Sequence, residues 1–349
     1  MINAFQKLMK QNKLDFCIFL NSSLTKQDPN IFYFTEIHTE YSILVVPQNK
    51  KPFFLIPGFE YERIKKHSKI KVVKLKKTNL GHQIKKHVKK SKNIGINKDI
   101  LSLNEFSRLK KQFKKSKFKD ISLLMKQQRS IKTKKEIKII KKSCNIAASI
   151  LSKTIKKMNH SLSEQQITNF LIEETKNQGC ELAFPPIVAS GSNASFPHHI
   201  PTSNKLKKGF CIIDFGVKYK GYCSDITRTL YIGKPSNKEI ETYNQVLATQ
   251  LDAINQSKIG NKTKSLFNSV SKVLGKEFTH GLGHGIGIEI HEYPNLTPIS
   301  KDIIQENMVY TIEPGIYTKK LGIRIEDDVL ITKKSPIILT KLTKKLILI

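Results

Sequence analysis

The chain has 349 residues, 39% of them hydrophobic and 26% charged, with 17 Gly, 13 Pro and no Trp. That balance excludes a collagen-like or disordered chain, and the length exceeds the roughly 100–150 residues of one typical core, so two domains are expected. A formal charge of +33 raises the question of an anionic partner.

The charge is unevenly placed: residues 1–150 carry +25 and residues 151–349 carry +8. Only five of the 61 basic residues are Arg (Arg63, Arg108, Arg129, Arg228, Arg324). Specific readout of phosphates and bases favours Arg. A Lys-rich solvated surface is therefore the reading adopted, with nucleic-acid binding at most weak and non-specific. No apolar run approaches the roughly 18–20 residues of a membrane span, and Met1–Asp15 alternates apolar and basic residues where a signal peptide has a continuous apolar block. A cytoplasmic location without membrane contact is expected. The five cysteines are scattered, with no CxxC pair, which argues against a disulfide framework and against a cysteine zinc site.

In chain order, Ile2, Phe5, Leu8 and Met9 predict a short helix, followed by strands at Asp15–Asn21, Tyr41–Val46 and Pro52–Pro57. Strands at Lys71–Leu75 and Asn93–Asn97 flank a basic amphipathic helix around Leu80–Lys90. This alternation predicts a small α/β domain over residues 1–125. From Glu136 to Met158 apolar residues recur every three or four positions, giving a long helix. Ser163 and Gln166 form a capping box for the next helix, and Gly179 marks its end. A loop rich in Pro, Gly and Ser (Pro185–Ser203) leads to a hairpin, Phe210–Val217 and Tyr222–Ile232, turning at Tyr219–Gly221. A second capping box, Ser236 and Glu239, opens helices at 237–257 and 264–276, and strands follow at 308–317 and 323–332. Two helices and a hairpin thus occur twice in residues 126–349, an α+β duplication whose sheets share a core under outer helices.

Each predicted hairpin holds two carboxylates. Asp214 and Asp225 lie symmetrically about residues 219 and 220, and Glu313 and Glu326 about residues 319 and 320. Directly opposed residues bring Cβ atoms to about 4.5–5.5 Å, where like charges repel unless a proton or cation intervenes. The pattern occurs twice, which favours metal. A glycosidase needs only one such pair and has no use for the imidazole cluster of His280, His284 and His291. The four glycines in His280–Glu292 also make a regular helix there unlikely. One His with four carboxylates suits two divalent ions and a bridging hydroxide.

Ile213-Asp214-Phe215-Gly216, Ser224 to Thr229, His280 to Glu292, Thr311 to Tyr317 and Arg324-Ile325-Glu326-Asp327 together resemble the M24 metallopeptidases, the family of aminopeptidase P, prolidase and methionine aminopeptidase. Asn30-Ile31-Phe32-Tyr33-Phe34-Thr35 resembles the creatinase-type N-terminal domain of the proline-specific branch, with Glu36 where a glycine is usual. Ile187 to His198 resembles the same branch. The resemblance implies a "pita-bread" catalytic domain and Xaa-Pro hydrolysis. It implies that Asp214 and Asp225 hold one ion, that Asp225 and Glu326 bridge to the second, and that His284 and Glu313 complete it. Mn²⁺ is the expected metal, with Co²⁺ or Zn²⁺ as substitutes.

His198, His291, Arg324 and Glu313 are implied as catalytic residues. Arg324 shares a strand face with Glu326, which favours a planar charge-assisted contact over a surface salt bridge. His280 is expected to support the site from behind. His199 is expected to be an exposed loop side chain, and Phe184 and Tyr317 to shape the proline pocket. Prolidases commonly place a basic residue between the His-Glu and Glu-Pro-Gly motifs, and Tyr293–Asn307 offers only Lys301. Dipeptidase and longer-peptide aminopeptidase both stay open. A homodimer is expected by resemblance. The reading from another class is a catalytically weak pita-bread protein that binds nucleic acid or protein through its basic first domain.

Overall fold

The structure, a computed structural model, describes residues 1–76, 79–88, 90 and 92–349. It divides into two compact units, Met1–Gln128 and Arg129–Ile349.

The first unit opens on α1 (Ile2–Gln11), which buries Phe5 and Met9 as the apolar spacing requires. It continues through β1 (Phe16–Asn21), α2 (Pro29–Thr35), β2 (Ser42–Pro47), β3 (Phe53–Ile56), α3 (Gly58–His67) and β4 (Lys71–Lys74). Then come α4 (Leu80–Lys85), β5 (Asn93–Ile96), α5 (Leu103–Gln112), β6 (Lys117–Asp120) and α6 (Ser122–Ser130). The strands form one mixed sheet in the order β4-β3-β2-β1-β5-β6. The helix expected over 80–90 stops at Lys85, and Lys89 lies outside the described residues. Helix α2 was not expected: Asp28 caps it and Pro29 starts it, but seven residues are too few to show a period. Glu36 ends α2 with φ +58°, a left-handed conformation that favours glycine.

The second unit begins with α7 (Lys134–Lys157) and α8 (Glu164–Asn177), each opened by a capping box, Thr133 with Glu136 and Ser163 with Gln166. Strands β7 (Glu181–Leu182), β8 (Ile187–Ser190), β9 (Gly209–Phe215), β10 (Val217–Tyr219), β11 (Tyr222–Cys223) and β12 (Ile226–Ile232) follow. Next are α9 (Asn237–Gln256), α10 (Thr263–Leu274), β13 (Gly283–Gly285), β14 (Glu292–Leu296) and β15 (Val309–Ile312). The last strands are β16 (Gly315–Tyr317), β17 (Gly322–Arg324), β18 (Asp327–Leu330) and β19 (Ile337–Ile338). The sheets run β12-β9-β8 and β14-β13-β15-β18-β19, with smaller sheets β11-β10-β7 and β16-β17. Ile146, Leu151 and Leu171 of α7 and α8 pack with Ile213 and Leu230. Val246, Leu266 and Val270 of α9 and α10 pack with Ile312 and Val329 in the same way. Two helices over a hairpin sheet therefore do occur twice.

The two hairpins differ in register from each other. In the second, Ile312 faces Asp327 and Gly315 faces Arg324, so the same register places Glu313 across from Glu326. In the first, Asp214 pairs with Thr227 and not with Asp225. The turn is the reason. Lys220 (φ +49°) and Gly221 (φ +81°) are its two central residues, a type I′ pattern centred one position later than the sequence suggested. A one-residue shift of centre displaces each partner by two, so Asp214 and Asp225 keep a common face but become diagonal neighbours. Gly216 permits the crossing of the chains there, because a Cβ on it would lie 2.0 Å from the Ser224 carbonyl oxygen.

A C-terminal strap joins the halves. Ile347 and Ile349 exchange backbone hydrogen bonds with Tyr231. Arg228, 2% exposed, donates to the carbonyls of Glu326, Leu342 and Thr343 and to the Asp327 carboxylate.

Candidate metal centre

A cavity of about 720 Å³ opens in the second unit, lined by His198, Asp214, Asp225, His280, His284, His291, Glu313, Arg324 and Glu326. The residues singled out in the sequence for the site come from two hairpins and two loops, and the fold brings them to this one space. Asp225, His284 and Glu326 lie closest, each offering a ligand atom within 4.8 Å of the others. Glu313 Oε1 is 3.4 Å and Asp225 Oδ2 3.7 Å from His284 Nε2. Asp214 is outside that tight group, because its Oδ2 accepts from Arg324 Nη2 at 2.7 Å.

The chemistry of the donor set suits a cation. Asp214 Oδ1 and Asp225 Oδ1 are buried without a hydrogen-bond partner among the described residues, and orphaned buried carboxylate oxygens are costly unless a cation meets them. Burial and then the neighbouring carboxylates push the Asp225 and Glu326 acids well above the usual carboxylate range. His284 Nδ1 donates to the Gly285 carbonyl at 3.1 Å, which leaves the Nε2 lone pair facing the carboxylates. Burial lowers its affinity for a proton, which keeps that lone pair free. The residues present fit one or two divalent cations.

Around this set, hydroxyls fix the carboxylates. Thr227 Oγ1 donates to Glu326 Oε2 at 2.6 Å and Thr311 Oγ1 to Glu313 Oε1 at 3.2 Å. Asp328 Oδ2 accepts the Asp225 backbone N–H at 2.8 Å. Sequence reading missed all three. Two-residue alternation from Asp225 to Thr227 and from Thr311 to Glu313 was the available signal.

Arg324 is 3% exposed and fully engaged, with Tyr317 Oη at 2.5 Å from Nη1, Thr227 Oγ1 at 3.3 Å from Nε and the Pro197 carbonyl at 3.4 Å. Burial opposes its charge, but Tyr317 and Asp214 more than compensate and raise its pKa. The expected role of Tyr317 as pocket wall is corrected: it stands behind the cavity, bonding Arg324 and meeting the His280 ring edge-on, while Phe184 does line the space. His280 donates from Nδ1 to the Gly281 carbonyl at 2.7 Å, and its buried Nε2 has no partner among the described residues. His291 meets the His284 ring edge-on at 4.3 Å. His199 is not the exposed side chain expected. It is half-buried, with Nε2 2.9 Å from Glu164 Oε2.

Glu292 is a further buried acid without an assigned role in the sequence. It accepts from the backbone N–H groups of Ile288 and Glu289, from Arg129 at 2.7 Å and from Lys132 at 3.0 Å. Although burial opposes its ionisation, Arg129 and Lys132 hold it down to about 2. It fixes the loop that carries His291.

A duplicated hairpin unit that gathers carboxylates and an imidazole in one cavity defines a candidate divalent-cation centre. The sequence profile of Metallopeptidase family M24 matches residues 138–333, and that of the Creatinase/Prolidase N-terminal domain matches residues 1–131. The chain belongs to metallopeptidase family M24, with the creatinase-type first domain and the pita-bread second domain. It is 35% identical to the Xaa-Pro dipeptidase of Pyrococcus furiosus, over 98% of this chain and 97% of that one. Among solved structures, the Xaa-Pro dipeptidase from Bacillus anthracis superposes with a TM-score of 0.92 at 30% identity, covering 100% of this chain and 99% of that one. The X-Pro aminopeptidase from Thermotoga maritima superposes at 0.88 with 30% identity, covering 97% and 98%. Among the described residues, no helix is long and apolar enough to cross a membrane.

Proposed function

We propose that the chain hydrolyses the bond before proline at the N-terminus of dipeptides or short peptides, as a two-metal enzyme of the cytoplasm that works as a homodimer. The observation that carries this reading is the meeting of Asp214, Asp225, His284, Glu313 and Glu326 in one cavity, with two carboxylate oxygens buried and unpartnered among the described residues. The names of the similar proteins support the Xaa-Pro substrate. Residues 1–125 form the creatinase-like domain in this reading and residues 126–349 the catalytic one.

Asp214 and Asp225 would hold one cation, with Asp225 and Glu326 shared to a second held by His284 and Glu313. Mn²⁺ suits a set of four carboxylates and one imidazole, and Co²⁺ or Zn²⁺ would substitute. When bound, the pair supplies an activated water at neutral pH and Lewis acidity towards the scissile carbonyl. The chain supplies the rest. His198 and His291 donate hydrogen bonds to the oxyanion that develops on the attacked carbon. Glu313 carries a proton from the attacking water towards the leaving nitrogen. Arg324 holds the Asp214 carboxylate in place through its planar guanidinium. A bond before proline has no N–H on the leaving side, so recognition rests on the free amino terminus and on the ring, for which Phe184, Ile187, Phe196 and Ile290 give apolar wall.

The test is hydrolysis of Xaa-Pro and Xaa-Ala dipeptides and Xaa-Pro-Yaa tripeptides by Mn²⁺-loaded protein. Preference for Xaa-Pro over Xaa-Ala with the same first residue is expected, with loss of activity on chelation and recovery on adding Mn²⁺ or Co²⁺. Equal rates on Xaa-Pro and Xaa-Ala would overturn the substrate assignment, and full activity after chelation the mechanism. The tripeptide arm separates dipeptidase from aminopeptidase.

A further inference from the structure

Glu164 stands at the first position of α8 and is 1% exposed. It is not the cap of that helix, since Ser163 already bonds the Gln166 N–H. Its carboxylate instead accepts six hydrogen bonds from a distant loop. Oε1 takes the Ser190 N–H at 2.8 Å, the Ser190 hydroxyl at 2.9 Å and Asn193 Nδ2 at 2.9 Å. Oε2 takes His199 Nε2 at 2.9 Å, the Thr202 N–H at 3.1 Å and the Thr202 hydroxyl at 3.0 Å. These bonds outweigh burial and hold the acid ionised, with its pKa down to about 2.

The four donor residues bracket His198, two on each side. Between them, Phe196 is 64% and Ile200 82% exposed, so apolar burial does not fix this stretch of the loop. Ala194 is buried on the near side. Beyond His198 the ties run to the first turn of α8, through Glu164 and through the Gln165 N–H that bonds the Thr202 carbonyl. The same stretch presents His198 to the cavity and the Pro197 carbonyl to Arg324. A side chain left free there would sample many placements, and catalysis is sensitive to displacements of about 1 Å.

We propose that Glu164 is a positioning residue for peptide hydrolysis, whose carboxylate knots the 190–202 loop so that His198 meets the reacting carbonyl. This rests on the role assigned to His198 above. Glu164→Gln keeps the shape but turns an amide N–H₂ towards groups that are themselves donors. It is expected to lower kcat by about tenfold with KM within about twofold of wild type and metal content unchanged. The deciding measurement is a double-mutant cycle with His198→Ala. If Glu164 acts through His198, Glu164→Gln costs nothing further in the His198→Ala background. Multiplying effects, or a rise in KM alone, would overturn the inference. Should Glu164→Gln fail to fold, Thr202→Val removes one donor with the carboxylate intact and is read in the same cycle, with a kcat loss of about threefold expected and the same outcomes overturning the inference. If His198→Ala alone leaves kcat unchanged, the role of His198 falls first, a result distinct from independence of the two sites.

Discussion

Within the cavity, single atoms decide which proton goes where. His280 and His284 both give Nδ1–H to a glycine carbonyl, so each turns Nε2 inward, and the Nε2 of His284 has two carboxylates within 4 Å, whereas that of His280 has no hydrogen-bond partner among the described residues. His284→Ala is therefore expected to lose metal, read as ions bound per chain by elemental analysis. His198→Ala should retain metal and lose about 10²-fold in kcat/KM, the scale of a lost oxyanion donor. Arg324→Lys keeps the charge but cannot contact Asp214, Tyr317 and Thr227 at once. A kcat/KM drop of about tenfold or more with metal retained is expected, and an unchanged value would show that planarity there is immaterial. At this scale the residues that meet in the cavity were legible because their types and order are specific. Glu164 and Glu292 were not. A glutamate at the start of a helix or beside a histidine looks ordinary until its distant partners, 26 to 163 positions away, are known.

Helices and hairpins carry most of what the sequence made legible. Capping boxes at Ser163 and Ser236 and the apolar period of α7 are local signals, and the structure has those elements within a few residues of the expected bounds. The first hairpin shows where locality ends. Symmetry in the sequence put Asp214 opposite Asp225, whereas φ > 0 at Lys220 and Gly221 moved the turn by one. The shared face survived because strand side chains repeat every two residues. The loop from Gly285 to His291 depends on a tertiary anchor, Glu292, and this sets a pH dependence. Its folded pKa of about 2 lies below the ordinary 4.5, so it contributes stability above pH 4.5 that is lost as pH falls from there towards 2. Glu292→Gln removes the carboxylate that Arg129 and Lys132 share, and a loss of about 3 kcal/mol at pH 7 is expected. Urea midpoints should converge between wild type and variant as pH drops through that window, and a constant gap would refute the assignment.

Over the whole molecule, the basic excess lies mostly outside the catalytic unit's half of the sequence and is nearly all Lys. DNA or RNA binding should be weak and fall steeply with salt, as counterion release requires. Tight, sequence-selective retention near physiological salt in a filter assay would contradict a merely solvated surface. The duplication was legible as a repeated order of elements, while the strap that ties Tyr231 to Ile347 and Ile349 was not, since its short apolar run has no period to read. One feature of that duplication reaches beyond catalysis. Asp214 and Asp225 belong to the first half, and His284, Glu313 and Glu326 to the second, joined through the exposed link Gly233–Lys234. An ion that needs both halves is also a clasp between them, worth about 2.7 kcal/mol at a free concentration of 100 Kd. Mn²⁺ above its Kd should raise the thermal midpoint with the logarithm of its concentration and slow digestion by an added protease. Metal supply would then govern how long each copy survives in the cell as well as how fast it works, so that starvation for the ion thins the enzyme pool itself.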